Sequence, residues 1–250
     1  MRDRLLGRRA RLAVLVAAIL AALGALAGFV ASGLIWPGRI LAAGIETRGV
    51  DVSSYQGDID WRVLAGQGID FAYIKATEGS STVDSRFDAN WDAARDTDLL
   101  VGAYHFLSFE TPGLRQAEHV IDTVADDGSL PVAVDVEFYG DFFDAPPTRA
   151  TVDAILAPLL QRLEEHYGVP PVIYATPDAY RRYISGGYAD NPIWIRSVVL
   201  PPVLDDRRDW TLWQYSHRDR LTGYEGDEAY IDMNAFRGSP AELRALGDRG

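Results

Sequence analysis

No cysteine occurs in the 250 residues, which removes disulfide staples, thiolate zinc sites and cysteine nucleophiles from the available chemistry. Histidine is nearly as scarce. His105, His119, His166 and His217 are scattered and show no metal-ligand spacing, so no metal site is expected. No glycine-rich phosphate loop follows any strand-like run, which leaves a nucleotide site without support, and no cofactor is expected. Basic charge is short as well: residues 49–250 carry 17 basic against 34 acidic side chains, a net of −17. Nucleic-acid binders place basic patches over their contact face, so nucleic acid is not expected as a partner. What the chain does have is 48% hydrophobic and 11% aromatic content, enough for one sizeable core.

The scarce basic charge is concentrated at the start. Arg2, Arg4, Arg8, Arg9 and Arg11 precede Leu12 to Trp36, a run of 25 residues without a charge. At about 1.5 Å per residue such a helix exceeds the roughly 30 Å hydrocarbon core, whereas a cleaved signal peptide needs an apolar stretch of only about 7–15 residues. The run therefore predicts a transmembrane signal anchor over 12–36 behind a basic cytoplasmic flank over 1–11, with the rest of the chain outside the cytoplasmic membrane, facing the periplasm or cell exterior. The alternative is secretion after cleavage behind Ala25-Leu26-Ala27. Residues 37–47 read as a linker, which fully extended spans at most about 40 Å.

From Arg48 onward, strand-like apolar runs alternate with helical segments, the pattern of a parallel α/β domain. Strands are predicted near 48–53, 70–76, 99–107, 130–137, 170–175, 192–196, 210–215 and 229–233. Helices are predicted near 60–67, 85–97, 112–127, 148–167 and 177–184. The clearest is Thr148 to Tyr167, with Val152, Ile155, Leu156, Leu159, Leu160 and Leu163 on a 3.6-residue period and Gly168 as its stop. Eight strands in this length suit an irregular (β/α) barrel with fewer than eight helices. An open doubly wound sheet is the alternative.

The fourth strand, Leu130 to Glu137, ends in Asp135 and Glu137. Residues i and i+2 share a strand face, so the two carboxyls stand side by side with Cα atoms roughly 6.6 Å apart. Adjacent carboxyls in a partly desolvated site push one pKa up, leaving an acid beside a base at neutral pH, and glycosidic bond cleavage uses such a pair. In a parallel barrel, chemistry gathers at the C-terminal strand ends. Asp51 in the first strand and Asp232 in the eighth join the pair there, and Tyr104, Tyr174, Trp194, Trp213 and Tyr215 are candidate platforms for sugar rings. A divalent cation held by the four acids is the competing reading.

These residues resemble a known family, the glycoside hydrolase family 25 lysozymes, also called Chalaropsis-type muramidases. The resemblance rests on Gly49 to Gly57 with Ile59-Asp60-Trp61, Phe71 to Gly79, Val101 to Phe106, Asp135-Val136-Glu137, Ile173-Tyr174-Ala175, Trp213-Gln214-Tyr215 and Ile231 to Asn234, in the family's order. It implies a catalytic domain over 48–238, followed by a tail over 239–250. It also implies hydrolysis of the β-1,4 bond between N-acetylmuramic acid and N-acetylglucosamine in peptidoglycan glycan strands. On this resemblance Glu137 is the general acid, Asp135 orients or charges the substrate's N-acetyl group, and Asp51 and Asp232 support them. Lys75, Glu78 and Gln214, inside the matching strings, are further candidate sugar contacts. The chain departs from the family after Trp194, where it reads Ile195-Arg196-Ser197-Val198 instead of a small residue and a Tyr. Two other readings stay open: a catalytically inactive peptidoglycan-binding module, and a chitinase-like hydrolase of acetamido sugars.

Overall fold

The computed structural model describes residues 2–31 and 36–248. The chain divides into two compact units, Met1–Pro37 and Gly38–Gly250. The first is helix α1 (Arg2–Ala31). Within it Arg11–Val30 has a mean hydropathy of 2.6 and is long and apolar enough to cross a membrane. Residues 32–35 of the span expected over 12–36 lie outside the described residues.

Where the sequence predicts a linker, Pro37–Ala42 forms a short helix, α2. Its residues Gly38–Ala42 belong to the second unit and pack within it. Gly38 lies so close to the wall that a Cβ there would sit 2.0 Å from the Tyr215 carbonyl oxygen. Ala42 is buried, and Arg39 forms an ion pair with Asp219. Six helical residues rise only about 9 Å, so the extended reach of the whole 37–47 segment is not realised.

The second unit is a closed barrel. Its walls are β1 (Arg48–Val52), β3 (Phe71–Glu78), β5 (Leu100–Phe106), β6 (Ala133–Val136), β7 (Val172–Ala175), β8 (Ile193–Arg196), β9 (Leu212–Asp219) and β11 (Ile231–Phe236), and β1 pairs with both β11 and β3 to close the ring. Three two-residue strands decorate the rim: β2 (Asp58–Ile59), which pairs with β10 (Tyr224–Glu225), and β4 (Thr82–Val83) beside β3. The outer layer is α3 (Trp61–Ala65), α4 (Phe87–Arg95), α5 (Gly113–Thr123), α6 (Arg149–Tyr167) and the short α7 (Pro177–Ala179), which runs into a π-helical turn over Tyr180–Ile184. The sequence marks α6 well: Thr148 caps its start by accepting from the Thr151 N–H, and Gly168 ends it in the left-handed conformation at φ 75°.

One expectation is corrected. The last wall strand, β11, is antiparallel to both its neighbours β1 and β9, whereas the other seven run parallel. A parallel return needs a crossover of a dozen or more residues, usually a helix. Only residues 220–230, carrying β10, separate β9 from β11, so the chain turns back at the rim.

Strand alternation sorts the side chains into two cores. The larger lies between the wall and the helices and includes Val50, Ile74, Val134, Leu156, Leu163, Trp213 and Tyr215. The smaller fills the barrel itself: Phe71, Tyr73, Leu100, Leu130, Ala133, Val172, Tyr174, Trp194, Leu212 and Phe236. Gly49 makes room for it, since a Cβ there would lie 2.4 Å from the Phe71 ring. A final helix, α8 (Pro240–Ala245), falls in the segment expected to be a tail and inserts Leu243, fully buried, into this plug.

Candidate active site

At the opposite end from Leu243 the inward positions turn polar. Asp51, Lys75, Glu78, Tyr104, Asp135, Glu137, Tyr174, Trp194, Gln214 and Asp232 line a hollow of about 700 Å³. A second hollow of about 590 Å³ shares Glu137, Tyr174, Gln214 and Asp232 with it and continues past Phe138, Phe143, Asp178 and Arg196. Together they form a cleft with two arms and the acids between them. A larger hollow, about 840 Å³, lies at the closed end near Arg62, Asp70, Asp96 and Arg244, and none of the four acids reaches it.

The four acids arrive by the routes the strands dictate. Asp135 is in β6 and Glu137 one residue beyond its end. Asp51 in β1 is the direct register partner of Asp232 in β11. Asp232 sits near the start of β11, and only the reversal of that strand puts it at the mouth.

A relay of amides fixes two of the acids. The Trp194 indole N–H donates to Asn234 Oδ1 at 2.8 Å, and Asn234 Nδ2 donates to Asp51 Oδ2 at 2.7 Å. The Tyr174 hydroxyl donates to Gln214 Oε1 at 3.1 Å, and Gln214 Nε2 donates to Asp51 Oδ2 at 3.0 Å and Asp232 Oδ2 at 3.2 Å. Each buried aromatic donor thus orients an amide so that its N–H faces a carboxylate. Asp135 has no such support for one oxygen: its Oδ1 is buried and has no hydrogen-bond partner among the described residues. A buried acceptor left open costs free energy until a donor reaches it.

All four carboxyls are held above their ordinary range, chiefly by burial. Asp135 is raised most clearly, with Glu137 and Asp51 adding repulsion. Burial also raises Glu137, against the pull of Arg196 and Lys75. Asp232 is pushed up to about 8 by burial and by Asp51. Burial raises Asp51 too, but the hydrogen bonds from Asn234 and Gln214 oppose it. Asp232, at about 8, therefore keeps its proton at neutral pH, while the N–H groups of Asn234 and Gln214 favour the charged form of Asp51.

Two of the sequence candidates are elsewhere. Trp213 and Tyr215 flank Gln214 in β9, and because alternate residues face opposite sides they point into the outer core, 1% and 4% exposed. Trp213 donates its N–H to the Ser197 carbonyl there. They brace the wall and do not line the cleft. Trp194 and Tyr174 form the cleft floor, 2% and 6% exposed, with ring centroids 4.9 Å apart. Lys75 is paired with Glu78 at 2.7 Å and lies over the Phe106 ring.

Sequence reasoning passed over Tyr55, Phe106, Phe143 and Tyr230, which edge the two arms; Tyr55 is 69% and Phe143 68% exposed. Phe106 and Asn234 carried a signal, being two residues from Tyr104 and Asp232 on the same strand faces. Tyr55 and Phe143 sit in short 3₁₀ turns, Ser54–Gln56 and Gly140–Phe143, too brief to show a periodicity. Among the described residues no three His, Asp or Glu side chains come together in a way that could hold a metal ion.

The model of the glycosyl hydrolases family 25 matches residues 50–224. A curated relative, lysozyme M1 of Streptomyces globisporus, is 33% identical over 218 residues, covering 80% of this chain and 71% of that protein. Among solved structures, a family 25 glycosyl hydrolase from Bacillus anthracis superposes with a TM-score of 0.78 at 49% identity, covering 82% of this chain and 94% of that one. The bacterial lysozyme from Streptomyces coelicolor superposes with a TM-score of 0.72 at 30% identity, covering 82% and 98%. A barrel with one reversed strand, an acid-lined cleft across its mouth and these matches together place the chain in glycoside hydrolase family 25.

Proposed function

We propose that the chain is a muramidase that hydrolyses the β-1,4 bond between N-acetylmuramic acid and N-acetylglucosamine in peptidoglycan. The observation that carries this is the open, buried Oδ1 of Asp135 beside Glu137 in the middle of a two-armed cleft. A glycan strand laid across both arms puts a bond between sugars at Glu137. An acetamido N–H is the donor that Asp135 lacks, and a hydrogen bond there turns the acetamide oxygen toward the anomeric carbon. Glu137, whose proton burial helps to hold, gives it to the leaving oxygen and then activates water. Asp51, whose charged form is favoured by the Asn234 and Gln214 N–H groups, supports the developing oxocarbenium ion, and Asp232 stands beside it as its register partner. Attack by the acetamide oxygen predicts retention of anomeric configuration, so inversion in the first turnover, seen by NMR, would refute that route.

Mass analysis of the ends released from purified peptidoglycan tests the assignment. Reducing muramic acid ends are expected; reducing glucosamine ends, or cleavage of chitin at the same rate, would overturn it. Binding without turnover would favour the inactive module instead.

The anchor belongs to the same reading. The apolar helix, if retained, tethers the barrel at the outer face of the cytoplasmic membrane, where local remodelling of the cell's own wall is the fitting task. Cell fractionation decides this: the full chain is expected with membranes, and a soluble protein beginning at Gly28 would mean that the helix is a cleaved signal.

A further inference from the structure

Arg196 lines the cleft and pulls on Glu137, but its own donors have no assigned partner so far. It ends β8 two residues after Trp194 and so shares the inward face, where it lines one arm of the cleft with Phe138, Phe143 and Asp178. Its side chain is half-buried. No hydrogen bond or ion pair among the described residues engages the guanidinium. Lys75, by contrast, is occupied by Glu78, and Arg218 in the other arm is engaged as well. Outside the cleft Arg86, Arg95, Arg162 and Arg237 each face an acid. Arg196 instead stays open, although its field reaches all four catalytic carboxyls. A planar fork of donors held in a cleft and not used by the protein suits a bidentate carboxylate.

We propose that Arg196 receives the free lactyl carboxylate of a muramic acid residue, so that glycan strands already stripped of their stem peptides are the preferred substrate. This rests on the muramidase reading. On a peptide-bearing strand the lactyl carboxyl is an amide and carries no charge. Water must first cleave that amide, releasing the peptide's amine and leaving a carboxylate. The enzyme therefore acts after an amide hydrolysis. The lactyl group leaves the sugar ring within a few bonds, which suits a cation whose field is felt at the scissile position; the carboxylates of a stem peptide hang farther out.

The test compares kcat and KM for the full chain on one purified glycan, either intact or pretreated with an amidase, with each variant assayed at its own pH optimum. Wild type is expected to favour the stripped strands. Arg196→Gln should raise KM on stripped strands about tenfold more than on intact strands, whatever change in kcat the two glycans share, and Arg196→Lys should restore part of that difference. Equal losses on both glycans would overturn the proposal in favour of an effect on the catalytic acids alone. A loss confined to intact strands would overturn it in favour of a stem-peptide carboxylate. Failure of wild type to cut either glycan would instead remove the muramidase reading on which it rests.

Discussion

The two ends of the barrel interior follow the same inward alternation and reach opposite results. At the closed end Phe71, Leu100, Val172, Leu212 and Phe236 meet with Leu243 in an apolar cluster. At the mouth the positions one or two steps farther along the same strands are Lys75, Tyr104, Asp135, Tyr174, Arg196 and Gln214. The closed end supplies burial that the mouth exploits: Tyr73, fully buried, packs with its ring centroid 4.9 Å from that of Trp194, and Trp194 in turn orients Asn234 toward Asp51. A rigid apolar plug is thus the base on which high-pKa carboxyls stand, and the two ends should respond differently to substitution.

The largest expected effect is on the mouth alone. Glu137→Gln keeps the shape but has no proton to give, and should cost roughly 10²–10⁴-fold in kcat with unchanged circular dichroism; near wild-type muropeptide release would remove Glu137 from its role. Substitution in the plug should do the reverse. Tyr73→Ala should destabilise the fold by about 3–5 kcal/mol, read by urea unfolding, because a fully buried ring that also donates to the Pro131 carbonyl is lost. If stability stays within about 1 kcal/mol, the plug is not the base described.

A third experiment uses pH. The carboxyl of Asp232 is raised from an ordinary 3.8 to about 8, so the folded state binds a proton that the unfolded chain releases. Its contribution to stability is complete below the unfolded pKa and is lost as pH rises through about 8. Asp232→Asn should therefore leave stability nearly unchanged at pH 4 and raise Tm by about 5 °C at pH 9; a rise at pH 4 instead would contradict the sign. The smallest effect should come from the wall. Tyr215→Phe, buried and facing outward, should change KM by less than about twofold, and a large KM change would return Tyr215 to the cleft.

Much of this was legible from the sequence because strand and helix periodicity report burial directly. The eight wall strands, α6 with its caps, and the gathering of Asp51, Asp135, Glu137 and Asp232 follow from it. Direction and side are harder. The sense of β11 depends on the length of the connection from β9, and residue type alone suggests Trp213 and Tyr215 as sugar platforms although alternation with Gln214 sends them outward. The helix over Pro37–Ala42 depends on a tertiary contact at Gly38 that no local pattern announces. Tyr55 and Phe143, in 3₁₀ turns of three and four residues, carry no periodic signal at all.

The reversal of β11 also decides which way the chain leaves the barrel. A parallel last strand would have ended at the mouth and released whatever follows over the cleft. Instead Phe236 lies beside the Thr47 carbonyl at the closed end, and Gly247 comes against Ser129 just before β6. A fluorescent reporter, affinity tag or wall-binding module fused after residue 248 would hang from the end that does no chemistry. The glycan path stays clear, and immobilising the protein through that point would present its mouth outward to the polymer.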